Sequence, residues 1–122
     1  MPDAHWTVPL YQAIDAKDTP RFLSYLTEDA QFRFGNYPPA VGQAAIGAAV
    51  DGFFASIRAS RHDILNNWDL PGHLVSQGVV TYTRLDRRTV TVPFVNVFVM
   101  RGKLVQDYLI YIDNTPLYAP AA

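Results

Sequence analysis

The run Leu109-Ile110-Tyr111-Ile112-Asp113 ends an apolar stretch on one carboxyl. If that carboxyl faces the interior it is desolvated. Burial disfavours its charged form and raises its pKa, which suits a general acid or base working near neutrality. The competing reading of Asp113-Asn114-Thr115-Pro116 is a strand-ending turn in which the aspartate accepts from local backbone amides. Titration separates the two: a functional Asp113 has a raised pKa and a turn-capping one a depressed pKa. Asn96 interrupts a run that is otherwise apolar from Val92 to Met100, and a buried amide must find partners or cost about 1–3 kcal/mol. A ligand carbonyl is one such partner; backbone or water within the core is the other. Arg84 and Asp86 stand two apart, so on a strand they share a face and can form a charge-coupled pair. Asp86-Arg87-Arg88 is also where the chain must turn back, and an exposed aspartate at a hairpin tip is the alternative. His5, His62 and His73 lack metal-ligand spacing and have no companion carboxylate cluster, so no metal site is expected. His62 and Trp68 share a parity in one strand, which fits either a cavity wall or an edge.

These groups must be held by elements that the pattern allows. The first half reads as helix and the second as strand, the order expected when helices pack on one face of an antiparallel sheet. Thr7 is placed to cap a helix with Pro9 in its first turn and Leu10, Ala13 and Ile14 on its buried stripe, ending near Lys17. Asp18-Thr19-Pro20 starts a short helix holding Phe22, Leu23 and Leu26. A short strand over 30–34 precedes a proline-interrupted loop from 35 to about 42. Beyond Gly42, the residues Ile46, Val50, Phe53, Phe54 and Ile57 recur at helical spacing. Gly47 and Gly52 within that helix mark close packing or a tolerated cost of about 1 kcal/mol each. Four strands follow, at 61–70, 74–84, 89–100 and 103–113. Arg101-Gly102 as a two-residue turn pairs Met100 with Lys103 and sets Asn96 opposite Asp107. Asn96, Asp107, Leu109, Tyr111 and Asp113 then share one face. A three-residue turn over 86–88 puts Tyr82 and Arg84 on the Asn96 face, and a two-residue turn puts them on the other. Both sheet faces are apolar enough to be covered, one by the helices and the other by a second subunit.

At 122 residues the chain suits one domain spanning 1–122, since domains commonly run to roughly 100–200 residues. With 49% apolar, 13% aromatic and only 17% charged residues, it carries more to bury than a small core needs, which points to a lined pocket, an interface, or both. Phe32, Phe34 and Phe54 in the first half, with Trp68, Tyr82, Phe94 and Tyr111 on the strands, are the expected lining. A net charge of −1 without a basic run argues against nucleic acid and anionic membranes as partners. The absence of cysteine excludes disulfides and thiolate chemistry and fits a reducing, cytoplasmic compartment. Met1-Pro2-Asp3-Ala4-His5-Trp6 has neither the basic start nor the apolar stretch of a signal peptide, and no run approaches membrane-spanning length. There is no phosphate loop, nucleophile elbow or Walker-type lysine, and no cofactor is expected.

Helix, short helix, Asp-Ala-x-Phe strand, proline-glycine loop, long helix and four strands ending in Tyr-Ile-Asp resemble the nuclear transport factor 2-like superfamily over nearly the whole chain. Val79-Val80-Thr81-Tyr82-Thr83-Arg84-Leu85-Asp86, Val95-Asn96-Val97-Phe98 and the stretch from Tyr111 to Leu117 resemble its SnoaL-like branch. The resemblance implies an α+β fold, a cone-shaped barrel of about three helices on a curved, mainly antiparallel sheet, and a homodimer. It also implies that Asp113 matches the last-strand acid/base aspartate of polyketide cyclases and epoxide hydrolases, and that Arg84 and Asp86 match the Arg-x-Asp of the latter. Phe32 and Phe34 stand where those hydrolases position their attacking water, and a water without donors is poorly held. In ketosteroid isomerase terms the general base falls near Phe34 and the oxyanion tyrosine near Leu10, while Asn96 takes the place of a hydrogen-bond donor to the oxyanion. Three functions follow as expectations. The first is an isomerase, cyclase or lyase acting on a small apolar carbonyl compound, with Asp113 as acid/base, Asn96 as donor and Arg84 as charge partner. The second is a non-catalytic ligand-binding or dimerisation module. The third is an epoxide hydrolase using Asp113 and Asp86 together.

Overall fold

The computed structural model describes residues 5–120. Residues 1–4, part of the segment weighed as a leader, lie outside that range. Helix α1 (Thr7–Asp15) starts one residue earlier than its expected cap: Trp6 holds the N-cap position, and the Thr7 hydroxyl pairs with His5 Nδ1 at 2.8 Å. Helix α2 (Thr19–Leu23) begins as read, with Asp18 Oδ1 accepting from Arg21 N at 3.2 Å and Pro20 in the first turn. It is shorter than expected, because Leu26 already opens β1 (Leu26–Phe34). A two-residue strand β2 (Ala40–Val41) interrupts the loop before helix α3 (Gln43–Ala55), whose Ile46, Val50 and Phe54 are buried. Gly47 has the Leu23 side chain 3.4 Å from where a Cβ would sit, which is close packing, whereas Gly52 has nothing within 4 Å.

The four long strands are β3 (Ala59–Leu70), β4 (His73–Thr83), β5 (Thr89–Arg101) and β6 (Leu104–Ile112). A single-turn 3-10 segment at Thr115–Tyr118 follows them. The sheet order is β2-β1-β6-β5-β4-β3, antiparallel except where β1 runs parallel to β6. All three helices pack on its inner face. Leu10, Phe22, Ile46, Phe98 and Tyr108 are at most 1% exposed there, and each such side chain stabilises the fold by roughly 1.5–3 kcal/mol through burial. Among the described residues no helix is long and apolar enough to cross a membrane.

Two bulges decide which side chains reach the inner face. In β3 the partners run from Leu70↔His73 to Asn66↔Gln77, then shift to Ile64↔Gly78, leaving Leu65 as an extra residue. In β6 Val99↔Asp107 is followed by Met100↔Val105, leaving Gln106 as the extra one. The β5–β6 turn lies at Gly102-Lys103, with Arg101↔Leu104 paired, one residue later than expected on each strand. That displacement changes partners by two positions and keeps the faces. The bulge changes them by one and exchanges the faces beyond it. Asn96 therefore pairs with Ile110 instead of Asp107. Tyr108, Ile110 and Ile112 turn inward, and Asp107, Leu109, Tyr111 and Asp113 follow the opposite parity.

Candidate active site

Between the helices and the inner sheet face lies a cavity of about 530 Å³. Phe22, Phe32, Phe34, Phe53, Phe54 and Phe94 make most of its wall, and His62, Asn96, Tyr82 and Tyr108 also line it. The strand spacing explains three of the polar positions. Asn96 and Tyr82 sit at even positions on β5 and β4, whose register is unbroken from His73↔Val99 to Thr83↔Thr89. His62 lies on β3 before the bulge and keeps inward parity.

Helix α1 supplies what the strands lack. Tyr11 and Asp15 are four residues apart and share one helix face. Asp15 Oδ1 accepts from His62 Nδ1 at 2.6 Å and from Ser60 Oγ at 2.8 Å, and Oδ2 accepts from the His62 backbone N at 2.9 Å. The carboxylate thus fixes both the ring and the strand that carries it. The imidazole is packed between the Tyr11 ring, stacked at 5.1 Å, and the Phe94 ring, edge-on at 5.5 Å. The His62 side chain is 11% exposed and that of Asp15 25%. No described residue bonds His62 Nε2.

Tyr11 also reaches Asn96. The Asn96 Nδ2 donates to the Tyr11 hydroxyl at 3.0 Å, and that hydroxyl donates to Ser76 Oγ at 2.8 Å. Asn96 is 2% exposed, and its Oδ1 has no hydrogen-bond partner. Burial pushes the Tyr11 hydroxyl up to about 12, against the lowering effect of its bonds to Ser76 and Asn96. Burial likewise raises Tyr108 well above the ordinary tyrosine value, and it raises Tyr82 as well. All three phenols therefore stay neutral donors at ordinary pH. The Tyr108 hydroxyl bonds no described residue.

The Asp113 carboxyl is not in this cavity. It is exposed, and its Oδ1 accepts from the Thr115 hydroxyl at 2.6 Å and from Thr115 N at 3.0 Å. Those two bonds hold its pKa below the usual carboxylate range, the outcome expected of the turn reading. Asp113 borders a separate hollow of about 200 Å³ with Asn114 and Tyr118. Arg84 and Asp86 do pair, with Arg84 Nη2 to Asp86 Oδ2 at 3.1 Å, but they do so in the exposed β4–β5 turn. Asp86 Oδ1 accepts from Arg88 N, which lowers its pKa, and Arg84 Nη1 donates to Pro116 O at 3.3 Å. The pair ties the hairpin to the C-terminal 3-10 segment and does not line the cavity. Trp68 and Tyr111 are also outside it, 48% and 49% exposed, because each lies on the outward parity that the bulges impose. Phe32, Phe34, Phe54, Tyr82, Phe94 and Asn96 line it as expected. Among the described residues no group of three or more histidines, cysteines and acids is arranged to hold a metal.

Residues 8–108 match the SnoaL-like domain. The chain belongs to that family. No protein of curated function matches this SnoaL-like chain in sequence. Its fold is that of a nuclear transport factor 2-like protein of unknown function from Burkholderia pseudomallei, at TM-score 0.83 and 17% identity, over 91% of this chain and 93% of that one. A protein provisionally described as a polyketide cyclase, from Xanthomonas campestris, superposes at TM-score 0.78 with 19% identity over 88% and 87% of the two chains. An LEH-like epoxide hydrolase from M. tuberculosis superposes at TM-score 0.75 with 10% identity over 90% and 81%. With Asp113 and Asp86 both bound into turns, the SnoaL-like cavity here lacks the carboxylate pair that the epoxide hydrolase reading required.

Two residues of the SnoaL-like site, Tyr11 and Asp15, were not singled out by sequence. Their signal was a tyrosine and a carboxylate four apart on a helix that also buries Leu10 and Ala13. His62 was singled out for its parity without a partner, because the partner lies 47 residues away.

Proposed function

We propose that this SnoaL-like domain is an acid/base enzyme of the isomerase, cyclase or lyase type. It holds a small apolar carbonyl compound in its cavity and moves a proton on it through His62, which Asp15 orients. The observation that carries this reading is the 2.6 Å Asp15–His62 pair, whose imidazole lies on the wall of a largely apolar cavity. In the neutral ring, Asp15 accepts a hydrogen bond from Nδ1–H, which stays on the ring, and so leaves the lone pair on Nε2. That lone pair takes a proton from the carbon beside the ligand's carbonyl, and the C–H electron pair passes into the carbonyl to give an enolate. Asp15 stabilises the imidazolium, which then returns the proton to a different carbon or to a departing oxygen. Tyr108, kept neutral by burial, is the donor available to the enolate oxygen.

The test is hydrogen exchange on 2-tetralone in deuterated buffer, followed by proton NMR. The wild type is expected to accelerate loss of the C1 protons, and His62→Gln to remove about 10²–10⁴-fold of that acceleration. A bound ketone exchanging no faster than in buffer overturns the catalytic reading. The wall itself favours a second reading, since Phe32 and Phe34 stand where a water-positioning site would need polar groups. A pocket that binds without turnover predicts just that outcome. We also propose that the outer sheet face packs on a second copy, because Trp68 and Tyr111 are about half exposed there beside Val75, Val95 and Val97. Light scattering should give twice the chain mass, and Trp68→Lys should halve it; a monomer in the wild type refutes the pairing.

A further inference from the structure

Asn96 has a polarity that the proton-transfer step does not use. One of its two Nδ2 hydrogens goes to the Tyr11 hydroxyl, whose own proton goes to Ser76 Oγ. The group left wholly without a partner is an acceptor: the carbonyl oxygen of a residue that is 2% exposed and lines the cavity, with no donor among the described residues. An unpaired buried acceptor is costly, and a ligand that brings a donor removes the penalty. We infer that Asn96 selects ligands bearing a hydroxyl, so that the substrate class is a hydroxylated ring compound and not a bare ketone. This rests on the reading of the cavity as a site for a small, largely apolar carbonyl compound. Geometry adds a constraint. Tyr11 stacks on His62 with its ring and holds Asn96 with its hydroxyl. One tyrosine side chain thus holds both the residue that recognises the hydroxyl and the residue that moves the proton. The remaining wall of Phe22, Phe32 and Phe94 fits the faces of the ring system between and beyond them.

Three probes of one shape separate donor from acceptor recognition: 2-naphthol, 2-methoxynaphthalene and 2-acetylnaphthalene, titrated calorimetrically. The wild type should bind the naphthol about 10-fold more tightly than the ether, a difference of ~1.4 kcal/mol. Asn96→Leu should bring that ratio to about 1. Tyr11→Phe frees the bound Asn96 amide hydrogen and should shift preference toward the acetyl probe, a readout that survives if Asn96→Leu does not fold. The inference is overturned if the ether or ketone binds the wild type as tightly as the naphthol, if none of the three binds, or if the preference persists in Asn96→Leu. Hydroxyl preference with no 2-tetralone exchange keeps this inference and removes the catalytic reading. Exchange with no hydroxyl preference does the reverse.

Discussion

Replacing Asp15 by asparagine probes the dyad with almost no change in shape. The carboxylate accepts three hydrogen bonds, two at Oδ1 from His62 Nδ1 and Ser60 Oγ and one at Oδ2 from His62 N. An amide has one oxygen. The backbone N–H of His62 has no other acceptor, so the amide oxygen stays there and the NH₂ turns to Nδ1. A donor facing Nδ1 forces the neutral imidazole into its other tautomer, with the proton on Nε2, and the base is then blocked at the atom that should receive the substrate proton. A general base contributes about 10²–10⁴ in rate, so kcat/KM for 2-tetralone exchange should fall by that factor, equivalent to ~2.7–5.4 kcal/mol of transition-state stabilisation. The stability cost is smaller, on the order of 1 kcal/mol, since hydrogen bonds are rearranged more than lost. Long-range ¹H–¹⁵N correlation spectra read the tautomer directly and need no substrate. The wild type should show the neutral ring protonated at Nδ1, and Asp15→Asn should show it at Nε2. A wild-type ring already protonated at Nε2, or Asp15→Asn exchange within about threefold of wild type, refutes the assigned role.

Burial pushes the Tyr11 hydroxyl up to about 12, whereas in the unfolded chain it titrates near ~10. Its contribution to stability is therefore complete below ~10 and is lost as the pH rises toward about 12, on the order of 3 kcal/mol across that window. Urea unfolding between pH 9 and 12 should show the fall, and Tyr11→Phe should make it shallower. Gly78→Ala places a Cβ 2.2 Å from the Asp63 backbone oxygen, an overlap that only movement of β3 can relieve; thermal melting should register about 1–3 kcal/mol of destabilisation, with slower exchange because His62 lies beside Asp63. Asp113→Ala should leave 2-tetralone exchange within about twofold of wild type. Because the folded pKa of Asp113 is depressed, its stabilising effect is present above the unfolded value and disappears as pH falls through the folded one, so the melting temperatures of Asp113→Ala and wild type should converge in acid.

Hydrophobic periodicity was sufficient for the long elements, though not for β2 or the start of β1, and for the inward parity of β5. The expected 61–70, 74–84, 89–100 and 103–113 lie close to β3 through β6. Asn96 and Phe94 are inward, and Tyr82 is too, because the five-residue turn over 84–88 that pairs Thr83 with Thr89 has the same parity as the three-residue alternative. Periodicity failed on β3 and β6, where a bulge adds one residue; β1 also shifts register, between Leu26 and Gln31. Alternation specifies only odd or even, so a single bulge exchanges every later assignment on that strand. Leu65 separated His62 from Trp68, and Gln106 separated Asn96 from Tyr111 and Asp113. The first had a visible signal. Gly78 sits within an otherwise β-rich strand, and such a glycine marks close backbone approach; the approach it permits is that of Asp63 O, directly across from the bulge. Gln106 had none, since a half-buried polar residue is compatible with either parity. The acid/base centre was illegible for a different reason. Asp15 ends a helix and His62 lies mid-strand, and no local pattern encodes a contact across 47 residues. What joins them is α1 packing over the open edge of β3, so that the proposed site lies at the first long strand after the helices instead of at the last, where Asp113 closes a turn.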